Sequence, residues 1–420
     1  MQATSHPCEG LGWGFFHVMK GKYKADFSTL KDLDVKGKRV LVRVDFNCPI
    51  QDGRVSDDTR IQAAMPTIRR LLDEGAAVVL MSHLGRPKGK RNEEFSLGPV
   101  AARLEEVWGK PVKLATDCIG AEYEALRGSL QPGEILLLEN LRFHPEEEAN
   151  DAGFAEKLAK HGQIYVNDAF GTAHRAHAST VGVANYLPSA AGLLMEAELT
   201  HLGELLTAPQ KPFVAILGGS KVSDKIAVLE SLVTKADVIL IGGGMAFTFI
   251  KSHGGEIGKS LCEADMDLPR RIEEKARAAG VKLLLPVDVQ VSTAIKGGSP
   301  AETVPADQVP ADKMGLDIGP KTSHLYSAEI AKAKTIFWNG PMGVFEVPPF
   351  DQGTRAVAES VCNSSGRSCI GGGDSAAAVT QMGMADKITH VSTGGGASME
   401  FLEGQELPGV AVLRRSAQTV

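Results

Sequence analysis

Arg39-Val40-Leu41-Val42-Arg43-Val44-Asp45-Phe46-Asn47 is a short apolar run with a polar tail. The run itself, Arg39–Val44, reads as a buried strand. An amphipathic stretch at Thr59–Asp73 reads as a helix, and Ala76–Met81 as a second strand. Ser96–Val107 is again helical in pattern, and Ile135–Leu138 and Ile164–Val166 are further strand candidates. Alternation of this kind predicts βαβ units, with a parallel sheet covered by helices on both faces.

The rhythm changes near Tyr186–Ala191. Leu193–Leu206 then reads as one helix, with Leu194, Leu199, Leu202, Leu205 and Leu206 among its apolar positions, and Pro212 resets the pattern. Beyond it the alternation returns, with strands expected at Phe213–Leu217, Val238–Ile241, Leu283–Leu285, Thr335–Trp338, Ser368–Ile370 and Thr389–Ser392. The Pro- and Ala-rich residues 299–312 read as an exposed surface excursion. A chain of 420 residues is too long for one compact core and suits two. The expected fold is α/β: two Rossmann-like parallel-sheet lobes, each a three-layer αβα stack, joined by a helix and hinge.

Composition narrows the function. The net charge is −6, whereas a protein that holds nucleic acid through its overall field is basic. Nucleic acid is therefore not an expected partner, and any anion must be held by a local cluster of Arg and Lys. No apolar run reaches the ~18 residues of a membrane span. Cys8, Cys48, Cys118, Cys262, Cys362 and Cys369 show neither Cys-x-x-Cys nor zinc-finger spacing and read as reduced thiols of a cytoplasmic protein. Leu11–Met19 is apolar apart from His17, but Glu9 precedes it and Lys20, Lys22 and Lys24 follow, the reverse of a secretory signal. Residues 1–25 are read as an unstructured extension, with Met19 an alternative start. Deleting residues 1–18 is expected to leave folding intact.

Ligands of open parallel sheets bind beyond the carboxyl ends of the strands. In the first half those ends carry Asp45-Phe46-Asn47, then Ser82-His83-Leu84-Gly85-Arg86-Pro87, then Glu139-Asn140-Leu141-Arg142-Phe143-His144, then Asn167-Asp168-Ala169-Phe170-Gly171-Thr172-Ala173-His174-Arg175. Arg60 opens the first helix. A lone Arg is usually an ordinary surface cation, but Arg60, Arg86, Arg142 and Arg175, with His83, recur at one rim. Guanidinium groups match phosphate and carboxylate oxygens two at a time. Asp45 and Asn47 suit a hydroxyl between two anionic ends. His174 and His177 have i, i+3 spacing that a metal would accept, and ordinary loop hydrogen bonding is the plainer reading.

In the second half the strand ends carry glycines. Gly218-Gly219-Ser220-Lys221-Val222-Ser223-Asp224-Lys225 follows Leu217, with Ser220 expected to cap a helix and Lys221 and Lys225 to share its face. Such a helix N-terminus favours phosphate. Gly371-Gly372-Gly373-Asp374-Ser375-Ala376 opens another expected helix, where glycines admit a phosphate and Asp374 suits Mg²⁺. Thr393-Gly394-Gly395-Gly396-Ala397-Ser398 repeats the device, and Trp338-Asn339-Gly340-Pro341-Met342-Gly343-Val344-Phe345-Glu346 adds a carboxylate suited to sugar hydroxyls. Gly371–Ala376 also fits G-x-G-x-x-A, which keeps an NAD(P)-dependent oxidoreductase as a rival, although the next strand lacks the ribose-binding acid. Gly258-Lys259-Ser260 ends like a Walker A loop, but His253 stands where its first Gly belongs.

Taken in order, these stretches resemble the phosphoglycerate kinase family over residues 26 to 420. The matching runs are Arg43–Asn47, Ser82–Pro87, Glu139–Phe143, Gly171–His177, Leu217–Val222, Trp338–Pro341, Gly371–Ser375 and Thr393–Ser398. The resemblance implies a glycerate-binding lobe over 26–190, an interdomain helix over 191–209, a nucleotide-binding lobe over 210–403, and a segment 404–420 that returns to the first lobe. It implies 3-phosphoglycerate or 1,3-bisphosphoglycerate bound by Asp45, Phe46, Asn47, Arg60, His83, Leu84, Gly85, Arg86, Arg142 and Arg175. ADP or ATP would be bound by Gly219, Lys221, Lys225, Asn339, Glu346, Gly372, Gly373, Asp374 and Ser375, with Mg²⁺ at Asp374. Arg60, Lys221, Gly394 and Gly395 would act on the moving group, in a monomer that closes about the 187–210 connection. Cys48 stands where Val is common in the family and is read as an oxidisable thiol near the site. A non-catalytic anion-binding scaffold is the remaining alternative.

Overall fold

A computed structural model describes residues 27–414; the expectations for residues 1–25 lie outside them. The chain divides into two compact units, one containing residues 27–203 and 406–414, the other residues 204–405.

The first unit is built on β1 (Arg39–Arg43), α1 (Thr59–Asp73), β2 (Ala77–Met81), α2 (Gly98–Trp108), β3 (Val112–Leu114), α3 (Ala121–Ser129), β4 (Ile135–Leu137), α4 (Ala152–Ala159), β5 (Ile164–Asn167) and β6 (Ser189–Ala191). Its strands form one parallel sheet in the order β3-β4-β2-β1-β5-β6. Central strands buried on both faces need continuous apolar runs, and β2 is buried at all five positions. Ile61, Ala64, Ile68 and Leu71 of α1 recur at helical spacing and pack with Val40, Val42, Val78 and Leu80 in one core. The chain runs from β1 out to one edge and returns to β5 on the other side of β1. The crevice at the carboxyl ends of β1 and β5 is therefore the topological switch point, where such sheets bind ligands. The C-terminal segment belongs here too: Ser28 donates to the Leu413 carbonyl at 3.1 Å.

Helix α5 (Leu193–Thr207) follows, its first turn capped by the Asp168 carboxylate, which accepts from the Leu194 amide at 2.9 Å.

The second unit contains β7 (Phe213–Leu217), α6 (Ile226–Leu232), β8 (Val238–Ile241), α7 (Met245–Ser252), α8 (Asp267–Ala278), β9 (Lys282–Leu284), β10 (Asp288–Ser292), β11 (Glu302–Pro305), β12 (Met314–Ile318), α9 (Pro320–Ile330), β13 (Thr335–Asn339), α10 (Gln352–Asn363), β14 (Arg367–Gly371), α11 (Gly373–Gln381), β15 (His390–Val391) and α12 (Gly396–Leu402). The parallel order β9-β8-β7-β13-β14-β15 repeats the first unit's logic, with its switch point between β7 and β13.

Three sequence expectations need correction. Residues 299–312 are not simply an exposed excursion. They contain β11, antiparallel to β10, and Val304, Ala306 and Val309 are buried in a small separate core with Phe247, Ile250 and Val289. The helix expected at Ser220 begins only at Ile226, after a short 3-10 turn over Ser223–Lys225, so Ser220 caps nothing and Lys221 and Lys225 share no helix face. Cys48 is 3% exposed, and burial pushes its thiol up to about 12, so it is not a reactive thiolate.

Candidate active site

At the first unit's switch point, β1 runs into a loop that carries Asp45, Phe46 and Asn47. Phe46 turns into the core and donates its backbone amide to Ser82 Oγ at 2.9 Å, which ties this loop to the one after β2. Asn47 completes the tie by accepting from the Gly85 amide at 2.9 Å. Leu84 is likewise a core side chain, so it and Phe46 offer the crevice backbone groups only. Arg60, from the first turn of α1, pairs with Asp45. Burial alone would raise the Asp45 carboxyl, but His83, Arg60 and Arg43 outweigh it and hold it below the usual carboxylate range. Asp45 thus keeps its charge and keeps Arg60 aimed.

His83 is 4% exposed, and burial with three neighbouring guanidiniums depresses its pKa well below the usual value. Its Nδ1 lies 3.2 Å from Arg43 Nη2. Arg142 is 5% exposed and is fixed by the Gly85 carbonyl at 2.8 Å and by Glu148 at 3.3 Å. Arg175 donates to His174 Nε2 at 3.1 Å. Arg86 is exposed and has no side-chain partner among the described residues. Asp45, Arg60, His83 and Arg142 therefore interact electrostatically as one cluster, Arg175 joins through Arg142, and Arg86 stands by itself. His174 and His177 do not form a metal site with a third ligand among the described residues.

The residue that sequence reasoning passed over is Arg43. It is 1% exposed at the carboxyl end of β1, and its Nε donates to Ser179 Oγ at 2.8 Å. Ser179 Oγ in turn donates to the fully buried Glu147 at 2.5 Å. A buried Arg needs partners for its donors, and Ser179, the Val44 carbonyl and His83 each take one. The signal was present: a charge at the end of an apolar run that continues directly into the site.

At the second unit's switch point the backbones of β7 and β13 nearly touch. The Gly218 amide donates to the Asn339 carbonyl at 2.9 Å. A Cβ on Gly340, which has φ +95°, would lie 2.3 Å from the Gly218 carbonyl oxygen, so only glycine fits. Lys225 donates to Asn339 Oδ1, and Asn339 Nδ2 donates to the Gly371 carbonyl at 2.7 Å. Burial lowers the Lys225 pKa despite the opposing pull of Asp374, Asp224 and Glu403. Ser375 is fully buried and accepts from the Gly340 amide at 2.6 Å, which pins the start of α11 to the end of β13. The exposed Asp374, in the first turn of α11, has no hydrogen bond among the described residues. Of the third glycine run, the Gly394 amide is taken by Ser392 Oγ at 3.2 Å, and Gly395 follows at φ +53°.

A cleft of about 330 Å³ opens beside these loops, lined by Gly219, Gly243, Leu261, Leu316, Glu346 and Asp374 among others. Apolar walls with a few polar groups at one end suit a flat heterocycle carrying a charged tail. The exposed Lys221 and Gly373 lie in the same two loops, before α6 and at the start of α11.

Comparison with known proteins points to one family. The family model described as phosphoglycerate kinase matches residues 30–405. The chain is 58% identical over 386 residues to a phosphoglycerate kinase of Moorella thermoacetica, covering 92% of this chain and 98% of that protein. It is 57% identical over 389 residues to one of Dictyoglomus turgidum, with the same coverage. The solved phosphoglycerate kinase of Coxiella burnetii superposes with a TM-score of 0.84 at 43% identity, covering 92% of this chain and 98% of that one.

Proposed function

This chain belongs to the phosphoglycerate kinase family, and from that premise we propose how its two units divide the reaction. The enzyme is a phosphotransferase. It moves a phosphoryl group reversibly between the carboxyl-linked phosphate of 1,3-bisphosphoglycerate and ADP, giving 3-phosphoglycerate and ATP.

The first unit takes the glycerate. The observation that carries this is the cluster of Asp45, Arg60, His83 and Arg142 at its switch point, in which Asp45 pairs with Arg60. Arg142, Arg175 and Arg86 receive the stable phosphate, Asp45 and Asn47 the hydroxyl, and Arg60 the reacting carboxyl end. Gly85 and the backbones of Phe46 and Leu84 shape the floor. The second unit takes the nucleotide. Its cleft accepts the base, Glu346 the ribose hydroxyls, and the loops with Gly219, Lys225, Asn339, Gly372, Gly373 and Ser375 the phosphates.

Mg²⁺ fits this site: Asp374 offers a hard carboxylate oxygen that no hydrogen bond occupies. When bound, it would offset charge on the nucleotide phosphates. The transition state of phosphoryl transfer is loose, with charge spread over three oxygens, so positioning and electrostatics suffice and no covalent enzyme intermediate is needed. Arg60, Lys221 and the Gly395 amide stabilise the moving group. The Gly394 amide is already engaged, so Gly394 serves by shaping the turn. Membership of the family also supports a cytoplasmic monomer, and no helix among the described residues is long and apolar enough to cross a membrane.

The test is a coupled assay with 3-phosphoglycerate and Mg-ATP, the acyl phosphate being trapped by a dehydrogenase while NADH loss is followed. Wild type is expected to turn over, and Lys221→Ala to lose kcat with KM little changed. Normal turnover in Lys221→Ala would remove that lysine from the mechanism.

A further inference from the structure

Asp117, Cys118 and His144 include none of the groups assigned above. Asp117 and Cys118 follow β3, and His144 ends the loop that carries Arg142. One oxygen of Asp117, Cys118 Sγ and one ring nitrogen of His144 lie within 4.8 Å of one another. Among the described residues this is the one group of three His, Cys, Asp or Glu side chains so placed. We propose that these three side chains form a binding site for a soft divalent cation of the zinc class.

The donor set selects the metal. Metal binding would release the Cys118 proton to solvent, and the resulting thiolate, with imidazole and carboxylate, matches Zn²⁺ or Co²⁺ and is poor for Mg²⁺ or Ca²⁺, which prefer oxygen throughout. Zinc bond lengths of ~2.0–2.3 Å in a tetrahedron put ligand atoms about 3.3–3.7 Å apart. His144 Nε2 and Asp117 Oδ1 are now 2.7 Å apart, so a small opening of that hydrogen bond, with the thiol drawn in, completes the geometry. Three protein ligands leave a fourth position for water.

The surroundings are built to hold this shape. The His161 ring nitrogen lies 2.6 Å from the Cys118 carbonyl and fixes the loop that presents the thiol. The His144 ring packs on Phe154 with centroids 5.2 Å apart. Outer contacts that orient ligands are a general feature of metal sites. Cys118 is fully buried, whereas Asp117 and His144 are 45% and 22% exposed, so a cation enters from their side. The nearby Arg91 is partly offset by Glu93 at 2.9 Å and Glu139 at 3.9 Å.

The experiment is a titration of the full-length protein with Co²⁺ in the absence of nucleotide, reading the thiolate-to-cobalt charge-transfer band. One equivalent is expected to saturate the band, and Zn²⁺ to bleach it. Cys262→Ser, at an exposed thiol elsewhere, should leave it intact, while Cys118→Ser abolishes it. Because Cys118 is buried, the partly exposed His144→Ala provides a second variant. It is expected to weaken Co²⁺ binding by about 100-fold and to lose the rise in melting temperature that Zn²⁺ gives wild type. No band at stoichiometric Co²⁺ overturns the proposal, as does a band that survives in Cys118→Ser or an unchanged affinity in His144→Ala. None of these readouts depends on the glycerate assignment.

Discussion

The two units share a sheet topology and a switch point, yet they hold charge at that point by opposite means. In the first unit the site is made of side chains, with Arg60 aimed by Asp45 and His83 backed by buried Arg43, Ser179 and Glu147. In the second it is made largely of backbone, with Gly218, Gly340 and Gly372 packed where a Cβ would collide. A guanidinium cluster must be anchored, because like charges repel and long side chains wander. A glycine rim needs no counter-charges, but it tolerates no added atom. The first design should fail gradually along its network, and the second abruptly at single positions.

The sharpest test of the first design is Arg60→Ala. Losing the cation nearest the reacting carboxyl should lower kcat/KM by about 10³, the scale of one strong transition-state contact. Arg86→Ala should cost far less and should raise KM for 3-phosphoglycerate alone, since Arg86 is exposed and unanchored. Equal losses in the two variants would break the distinction between anchored and unanchored cations.

Gly372→Ala tests the second design. Gly372 has φ +90°, and an added Cβ would lie 2.4 Å from Asn339 Nδ2. The methyl group must displace the residue that Lys225 and the Gly371 carbonyl both use. KM for ADP should rise at least roughly tenfold, with KM for the glycerate substrate unchanged and stability lower by about 1–3 kcal/mol. A parallel rise in both KM values would show that the damage is not confined to the nucleotide unit.

Much of this contrast was legible in the chain. Apolar runs such as Phe213–Leu217 and Val238–Ile241 are strands over those same residues because central parallel strands are buried on both faces and leave the period unambiguous. The helix Thr59–Asp73 likewise matches its amphipathic pattern. Short edge strands were not legible. Val112–Leu114 and Ser189–Ala191 have three residues each, too few for a period. The antiparallel strands near residues 288–318 were hidden by the Pro and Ala of residues 299–312, which gave no strand period although Val304, Ala306 and Val309 are buried. Ser220 misled because a good capping residue does not oblige a helix to start, and here a 3-10 turn comes first. At the site, glycines and arginines at strand ends could be read directly. The Glu147–Ser179–Arg43 chain could not, because it joins residues 136 apart in sequence.

That buried chain gives the next test. Glu147→Gln keeps the shape but removes the charge that faces Arg43 through Ser179. Leaving Arg43 under-compensated should cost about 1–3 kcal/mol in urea unfolding. It should also raise KM for 3-phosphoglycerate several-fold, because Arg43 contacts His83. Ser179→Ala should do the same, and the double variant should cost little more than either alone, since both cut one path. Full additivity would mean that the two residues act independently and that the first site is not held by a network.

The smallest effect is a pH dependence in which buried histidines and a buried aspartate carry opposite signs. In the first unit, burial lowers His161 and His177 to about 4 each. The unfolded chain takes up those protons near pH 6.5 and the folded chain does not, so stability falls as pH drops from about 6.5 toward 4. For a buried carboxyl of the second unit the sign reverses. Asp317 is 3% exposed, and burial, with Asp351 nearby, raises its carboxyl to about 8. The folded chain keeps this proton where the unfolded chain has lost it. That contribution is full below pH 3.8 and decays as pH rises to about 8. Asp317→Asn removes the ionisation and keeps one acceptor for the Gly353 and Ile318 amides that Asp317 now serves. The melting temperature of the variant should therefore gain on wild type steadily from about pH 5 to about pH 8. A constant gap would mean that Asp317 ionises as an ordinary carboxylate, and the acid-side loss from the first unit would then stand without an alkaline counterpart in the second.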